Sequence, residues 1–243
     1  MPFKTPLFEA LAEFNFAAVP LLEFRANTLY EIIGKEFPNY QRFPFFLVPA
    51  EIPGAQPAVP YSPAYRFTSQ DGKRMIQYGP RLLTYHVYLY PGWHQFKEEF
   101  TELFSRVAEA GFGLVVERLA LTYVNRMPAP TPQALQDLLS IDLGISGDTI
   151  PLDFATKRVD TNSVGLSTVT IAPLPPSDLQ REQAFGITCA ELTFQKGAFS
   201  REFVAKRLDW FEAAHGRLKQ RFWSMLRSEV QKEWKETHAA ELA

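Results

Sequence analysis

Glu13, His86, Tyr88, Asn125 and Arg126 are the polar residues of this chain best placed to meet a ligand. His86 falls in an alternating stretch, residues 81–90, where Thr84, Tyr88 and Tyr90 share its side and Leu83, Tyr85, Val87 and Leu89 take the other. One face is therefore apolar and the other polar-aromatic. Asn125 and Arg126 close a second extended stretch, residues 117–127, just before Pro128. A strand end can offer polar groups to a ligand, or it can spend them on an ion pair and an Asx-type turn into the proline. Glu13 shares one side of a third stretch, residues 11–18, with Asn15. If these faces line a cavity between sheet and helices, the five groups are candidate ligand contacts.

The same residues offer little to known catalytic patterns. The four histidines, His86, His94, His215 and His238, are not spaced as a helical metal pair, and no HExxH motif occurs. Gly111-Phe112-Gly113 ends a helical pattern rather than opening one, so it does not read as a phosphate loop. No GxSxG elbow is present. Cys189 is the only cysteine and sits in an apolar extended run, which reads as a small core residue. His215 lies on an apolar helical stripe and reads as a core histidine with a partner. The expectation is no catalytic constellation, no metal site and no cofactor.

The elements that must position these residues centre on residues 93–127. Trp93, Phe96, Phe100, Leu103, Phe104 and Val107 recur at helical spacing, with Lys97, Glu98, Glu102, Arg106 and Glu109 opposite. Gly111 is suited to the left-handed exit. Residues 11–18 read as a first strand. Residues 21–37 read as a helix between Pro20 and Pro38. Residues 38–64 are proline-rich and predict a surface excursion with a short edge strand near residues 45–48. Asp71-Gly72 marks a hairpin between residues 65–69 and 74–78. Thr131-Pro132 predicts a helix start. Residues 152–161, 165–172 and 185–195 read as strands, and residues 200–234 as one long helix with Leu208, Phe211, His215, Leu218, Phe222 and Met225 along its stripe.

Each half thus reads strand, helix, three strands, long aromatic helix. The expected fold is α+β: internally duplicated βαβββα units, residues 1–113 and 114–243, form a curved, mostly antiparallel sheet with long helices packed on one face. The halves are expected to make one compact fold.

Composition bounds the class of function. With 243 residues and 46% hydrophobic content the chain can bury a sizeable core. The 21 phenylalanines supply much of it. Lys and Arg number 25 against 27 Asp and Glu, a formal charge of −2 that offers no general attraction to nucleic acid or an anionic membrane. The stretch Met1-Pro2-Phe3-Lys4 lacks a signal-peptide pattern, and no run has the apolar length of a membrane span. A cytoplasmic protein is expected.

Several short motifs, in order, resemble a sporadically distributed family of uncharacterised bacterial proteins of about this length. They are Pro6-Leu7-Phe8-Glu9-Ala10, Phe37-Pro38, Gln77-Tyr78-Gly79-Pro80, Tyr90-Pro91-Gly92-Trp93 with Phe96, Leu121-Thr122-Tyr123-Val124-Asn125-Arg126, and Leu208-Asp209 to His215 with Phe222. Thr122 stands where the family carries Arg, and Tyr85 to Val87 lack its Asn. The resemblance implies a bacterial cytosolic setting and no particular activity. From the residues, the leading expectation is a non-catalytic binding or regulatory module for a protein partner or small ligand. The alternative is an enzyme with a dispersed polar site between sheet and helices, and a third reading is nucleic acid on the open sheet face. The abundance of Phe adds the expectation of a homodimer through an aromatic patch.

Overall fold

A computed structural model describes residues 6–18, 22–44, 63–140, 144–145, 148–149, 156–162, 165–174 and 184–237. The chain runs β1 (Leu7–Phe16), α1 (Leu22–Ile33), β2 (Asn39–Arg42), β3 (Tyr65–Thr68), β4 (Arg74–Gly79), β5 (Leu82–Tyr88) and α2 (Trp93–Glu109). It continues with β6 (Val115–Met127), α3 (Pro132–Leu138), the short pair β7 (Gly144–Ile145) and β8 (Asp148–Thr149), and β9 (Thr156–Asn162). Then come β10 (Gly165–Leu174), β11 (Ala184–Ala198), α4 (Arg201–Lys206), α5 (Leu208–Ser224) and α6 (Ser228–Thr237). The fold is mixed α and β around a large antiparallel sheet of order β2-β3-β4-β5-β1-β6-β11-β10-β9.

The chain divides into two compact units. The larger comprises Ala10–Leu121 and Leu192–Glu212; the smaller comprises Met1–Glu9, Thr122–Glu191 and Ala213–Ala243. In the larger unit, α2 buries Phe96, Phe100, Leu103, Phe104 and Val107 of the predicted stripe and leaves Trp93 at its start half-buried. Gly92 enters it at φ 106° and Gly111 leaves it at φ 69°, conformations that cost a side-chain-bearing residue steric energy. Phe14 of β1 lies at the centre of the core. Its ring meets Phe104 edge-on at 4.7 Å, Phe199 at 5.3 Å and Phe211 at 5.9 Å. Phe100 reaches Phe211 at 4.9 Å, and Phe96 stacks on Tyr85 at 6.0 Å. Each such ring contributes about 2–3 kcal/mol by burial, and edge or offset geometry adds roughly 1 kcal/mol.

The β3–β4 hairpin forms where Asp71-Gly72 predicts it. Gly72 sits at φ 72°, Ser69 donates its hydroxyl to Asp71 at 2.7 Å, and the Arg74 amide donates to the Ser69 hydroxyl at 3.0 Å. The Ser69 hydroxyl and the Lys73 amide hold the Asp71 carboxyl below its ordinary range. In the smaller unit, Thr131 caps α3 by accepting from the Ala134 amide at 3.1 Å.

The long final helix predicted over residues 200–234 is instead three helices. Arg207 separates α4 from α5, and Met225 to Arg227 separate α5 from α6. The second break has a tertiary cause. Ser140 donates its amide to the Met225 carbonyl at 2.8 Å, and the Arg227 amide donates to Leu138 O at 3.1 Å. Backbone groups that a continuous helix would use internally are pinned to the end of α3 instead. A strand the sequence reading did not include lies at Asn39–Arg42, between Pro38 and Pro44, at the edge of the sheet. Residues 45–48 lie outside the described residues.

Because Phe14 joins β1 to rings from α2, α5 and the segment before α4, Phe14→Ala is expected to cost about 3–5 kcal/mol. Chemical denaturation of the wild-type and variant proteins measures this.

Candidate functional site

Strand alternation builds a polar face in the larger unit. On β1, Phe14 packs on Phe104 of α2, so Glu13 and Asn15 project to the opposite side of the sheet. On β5, Tyr85 stacks on Phe96 of α2, so Thr84 and His86 also project away from that helix. The register then extends the row. Thr84 lies opposite Gln77, Gln77 opposite Arg66, and Arg66 opposite Gln41. Four polar side chains therefore stand in line across β5, β4, β3 and β2, with Asn15 and Glu13 on the neighbouring strand β1.

Hydrogen bonds hold parts of this face in fixed geometry. The Thr84 hydroxyl lies 2.8 Å from His86 Nε2, and both residues are buried. Arg118 of β6 donates from Nε to Asn15 Oδ1 at 2.5 Å and reaches Glu13 Oε1 at 3.4 Å. Arg81 pairs with Glu117 at 2.6 Å and donates from Nε to Phe16 O at 3.3 Å. At the far end the Arg66 guanidinium covers the Phe43 ring at 4.7 Å, and its Nε is buried without a hydrogen-bond acceptor. Such a face can offer a ligand donors and acceptors whose positions are already set.

Glu13, His86 and Tyr88 belong to the larger unit; Asn125 and Arg126 belong to the smaller. Glu13 is held by Arg118, and His86 by Thr84. Tyr88 is half-buried at the end of β5, where its amide donates to the Lys73 carbonyl at 2.8 Å. Asn125 is buried and donates from its carboxamide to Ile187 O at 3.2 Å. Arg126 is buried, and its amide donates to Pro6 O at 2.7 Å.

Sequence reasoning missed a second polar system. In the smaller unit, Glu191 of β11 is almost wholly buried and accepts from Ser167 of β10 at 2.6 Å and from Arg217 of α5 at 3.0 Å. One turn further along α5, Arg221 pairs with Asp160 of β9 at 3.0 Å. His215 places Nδ1 2.7 Å from the Tyr123 hydroxyl. These contacts form a polar seam between α5 and β6, β9, β10 and β11. Hydrogen bonds from Arg158 and Arg221 hold the Asp160 carboxyl below its ordinary range. Cys189 lies in the same strand as Glu191, and burial pushes its thiol up to about 12. A thiol so disposed is no nucleophile at neutral pH. The one available signal was the four-residue spacing of Arg217 and Arg221, which sequence alone cannot distinguish from a solvated face.

Across the outer side of α2 in the larger unit lies a cleft of about 540 Å³. Its lining carries both signs of charge, including His94, Lys97, Glu98, Glu102 and Arg201. Lys97 pairs with Glu212 and Arg201 with Glu109. Among the described residues, no three His, Cys, Asp or Glu side chains gather as a metal-binding set. Among the same residues, no helix is long and apolar enough to cross a membrane. No protein-family model matches the chain, and comparison with curated proteins finds no match.

Removing Arg217 would strand a buried carboxylate with only Ser167 as partner. Arg217→Ala is expected to cost about 2–4 kcal/mol, and Ser167→Ala about 1–2 kcal/mol, in denaturant titrations. Cys189 should react with a thiol-specific disulfide reagent only after unfolding; rapid labelling of the native protein at pH 7 would contradict this.

Proposed function

We propose that this chain is a non-catalytic binding module and that the polar face of the larger unit receives its protein partner or small ligand. The observation that carries this reading is the cross-strand row Gln41, Arg66, Gln77 and Thr84. Gln41 is exposed and Arg66 and Gln77 are part-exposed, whereas Thr84 is buried against His86. The four stand in register, and the adjoining Glu13, Asn15 and Arg118 are fixed by hydrogen bonds. Recognition spread over several strands draws modest energy from each contact, which suits affinity rather than bond-breaking chemistry.

We also infer that the fold descends from a tandem of βαβββα units with their long helices on a common face. The strand order supports this: β3-β4-β5-β1 is followed by β6-β11-β10-β9, the same succession read in mirror order. The approach of Phe100 in α2 to Phe211 in α5 supports a shared side for the long helices.

The test begins with native mass spectrometry of the purified chain to identify what co-purifies. Gln77→Ala and Arg66→Ala should each weaken that ligand about 5- to 30-fold, the effect of losing about 1–2 kcal/mol, without unfolding the protein. Unchanged affinity in the double variant would remove this face from consideration. A substitution that preserved binding but abolished a measurable turnover would overturn the non-catalytic reading.

A further inference from the structure

The nine-stranded sheet ends at β2, whose paired neighbour among the described residues is β3 alone. All four residues of β2 are exposed. The Phe43 amide donates to Ala64 O at 2.8 Å, so the backbone groups of Phe43, and by alternation those of Gln41 and Asn39, face β3. The N–H and C=O of Tyr40 and Arg42 therefore face outward. An edge of this kind is a template for one more strand.

The two sides of the edge differ in chemistry. On the α1 side Tyr40 is 50% exposed; its ring stacks on Tyr65 at 5.9 Å, lies 5.4 Å from Phe67 and meets Tyr30 of α1 at 6.2 Å. These rings form a shelf that suits an apolar side chain. On the other side Gln41 lies directly opposite Arg66. The Arg66 guanidinium covers the ring of Phe43, the residue that follows β2, at 4.7 Å. That contact holds the cation toward the edge, and among the described residues no carboxylate pairs with it.

We propose that β2 is a docking edge for an extended segment of a protein partner that alternates acidic and apolar side chains. The inference rests on the polar face being a binding surface and names a protein segment as its ligand. An added antiparallel strand lies about 5 Å from β2 and about 10 Å from β3. An acidic side chain beside Gln41 and the long Arg66 side chain can meet across that gap. The neighbouring residues of the segment turn to the other side, onto Tyr40 and Tyr30. A second copy of β2 fits less well, because Asn39-Tyr40-Gln41-Arg42 carries no acidic residue to meet Arg66.

The full chain is titrated by fluorescence anisotropy with two labelled, capped heptapeptides, one alternating glutamate and valine and the other lysine and valine. The acidic peptide should bind at least about tenfold more tightly than the basic one. Arg66→Gln should erase that preference and Arg66→Glu should invert it, with circular dichroism checking that both variants fold. Tyr40 and Arg42 supply the pairing groups, so the valines opposite them must donate their amides. N-methylation of the valines should therefore abolish binding, whereas N-methylation of the glutamates should preserve it. Equal binding of the two peptides, equal loss in the two methylated forms, or undiminished binding of the acidic peptide by Arg66→Glu would overturn the docking edge. No binding of the acidic peptide up to about 1 mM overturns it too, and sedimentation then shows whether a second copy holds the edge. Gln77→Ala reads the polar face separately, since β4 lies two strands inward. A co-purifying ligand that Gln77→Ala weakens but the acidic peptide does not displace would sink the docking edge and leave the polar face standing.

Discussion

A pleated strand must send successive side chains to opposite faces, and the larger unit depends on that rule. Phe14 and Tyr85 face α2 and carry the ring core, while their neighbours Glu13, Asn15, Thr84 and His86 are forced to the other side. A one-residue slip of β1 would bring Glu13 and Asn15 into the phenylalanine cluster and turn Phe14 out of it. The aromatic core and the polar face are therefore two consequences of one register. A slipped pairing would lose the ring contacts around Phe14, which favours the observed register.

In the smaller unit, polar contacts join α5 to the strands. Three contacts, Tyr123 with His215, Glu191 with Arg217, and Asp160 with Arg221, tie α5 to β6, β11 and β9. Hydrogen bonds of this kind are directional, so they locate a helix more narrowly than apolar packing does. Glu191 shows the cost of that choice. Its carboxylate is nearly removed from water, and only the combination of Ser167 and Arg217 offsets its desolvation. The two polar systems also differ in what they leave over. The seam spends Arg217 Nε and Arg221 Nη1 on carboxylates, whereas the row leaves Gln41 exposed and Arg66 and Gln77 part-exposed, with Thr84 buried against His86.

The local signals in the sequence are those governed by near neighbours. The stripe from Phe96 to Val107, the left-handed Gly111, the Thr131 cap and the Asp71-Gly72 hairpin depend on side chains within a few residues, so spacing reveals them. The two-sidedness of β5, which singles out His86, is legible for the same reason. The end of that strand at Tyr88 is not, since the alternation runs on to Tyr90 whereas Leu89 takes φ 57°; nor is the hydrogen bond of Asn125 to Ile187, which joins residues far apart in sequence.

What tertiary structure alone decided follows from the same distinction. Periodicity over residues 200–234 supports one helix, because the groups that interrupt it belong to α3, more than eighty residues away. Nothing near Ser167 or Glu191 indicates that they meet, and the row Gln41, Arg66, Gln77 and Thr84 exists only once four strands have chosen a register. Sequence determined which faces would be apolar and where strands and helices could begin. Which polar residues became neighbours was set by long-range pairing, because hydrogen-bond geometry depends on distances that spacing along one chain does not contain.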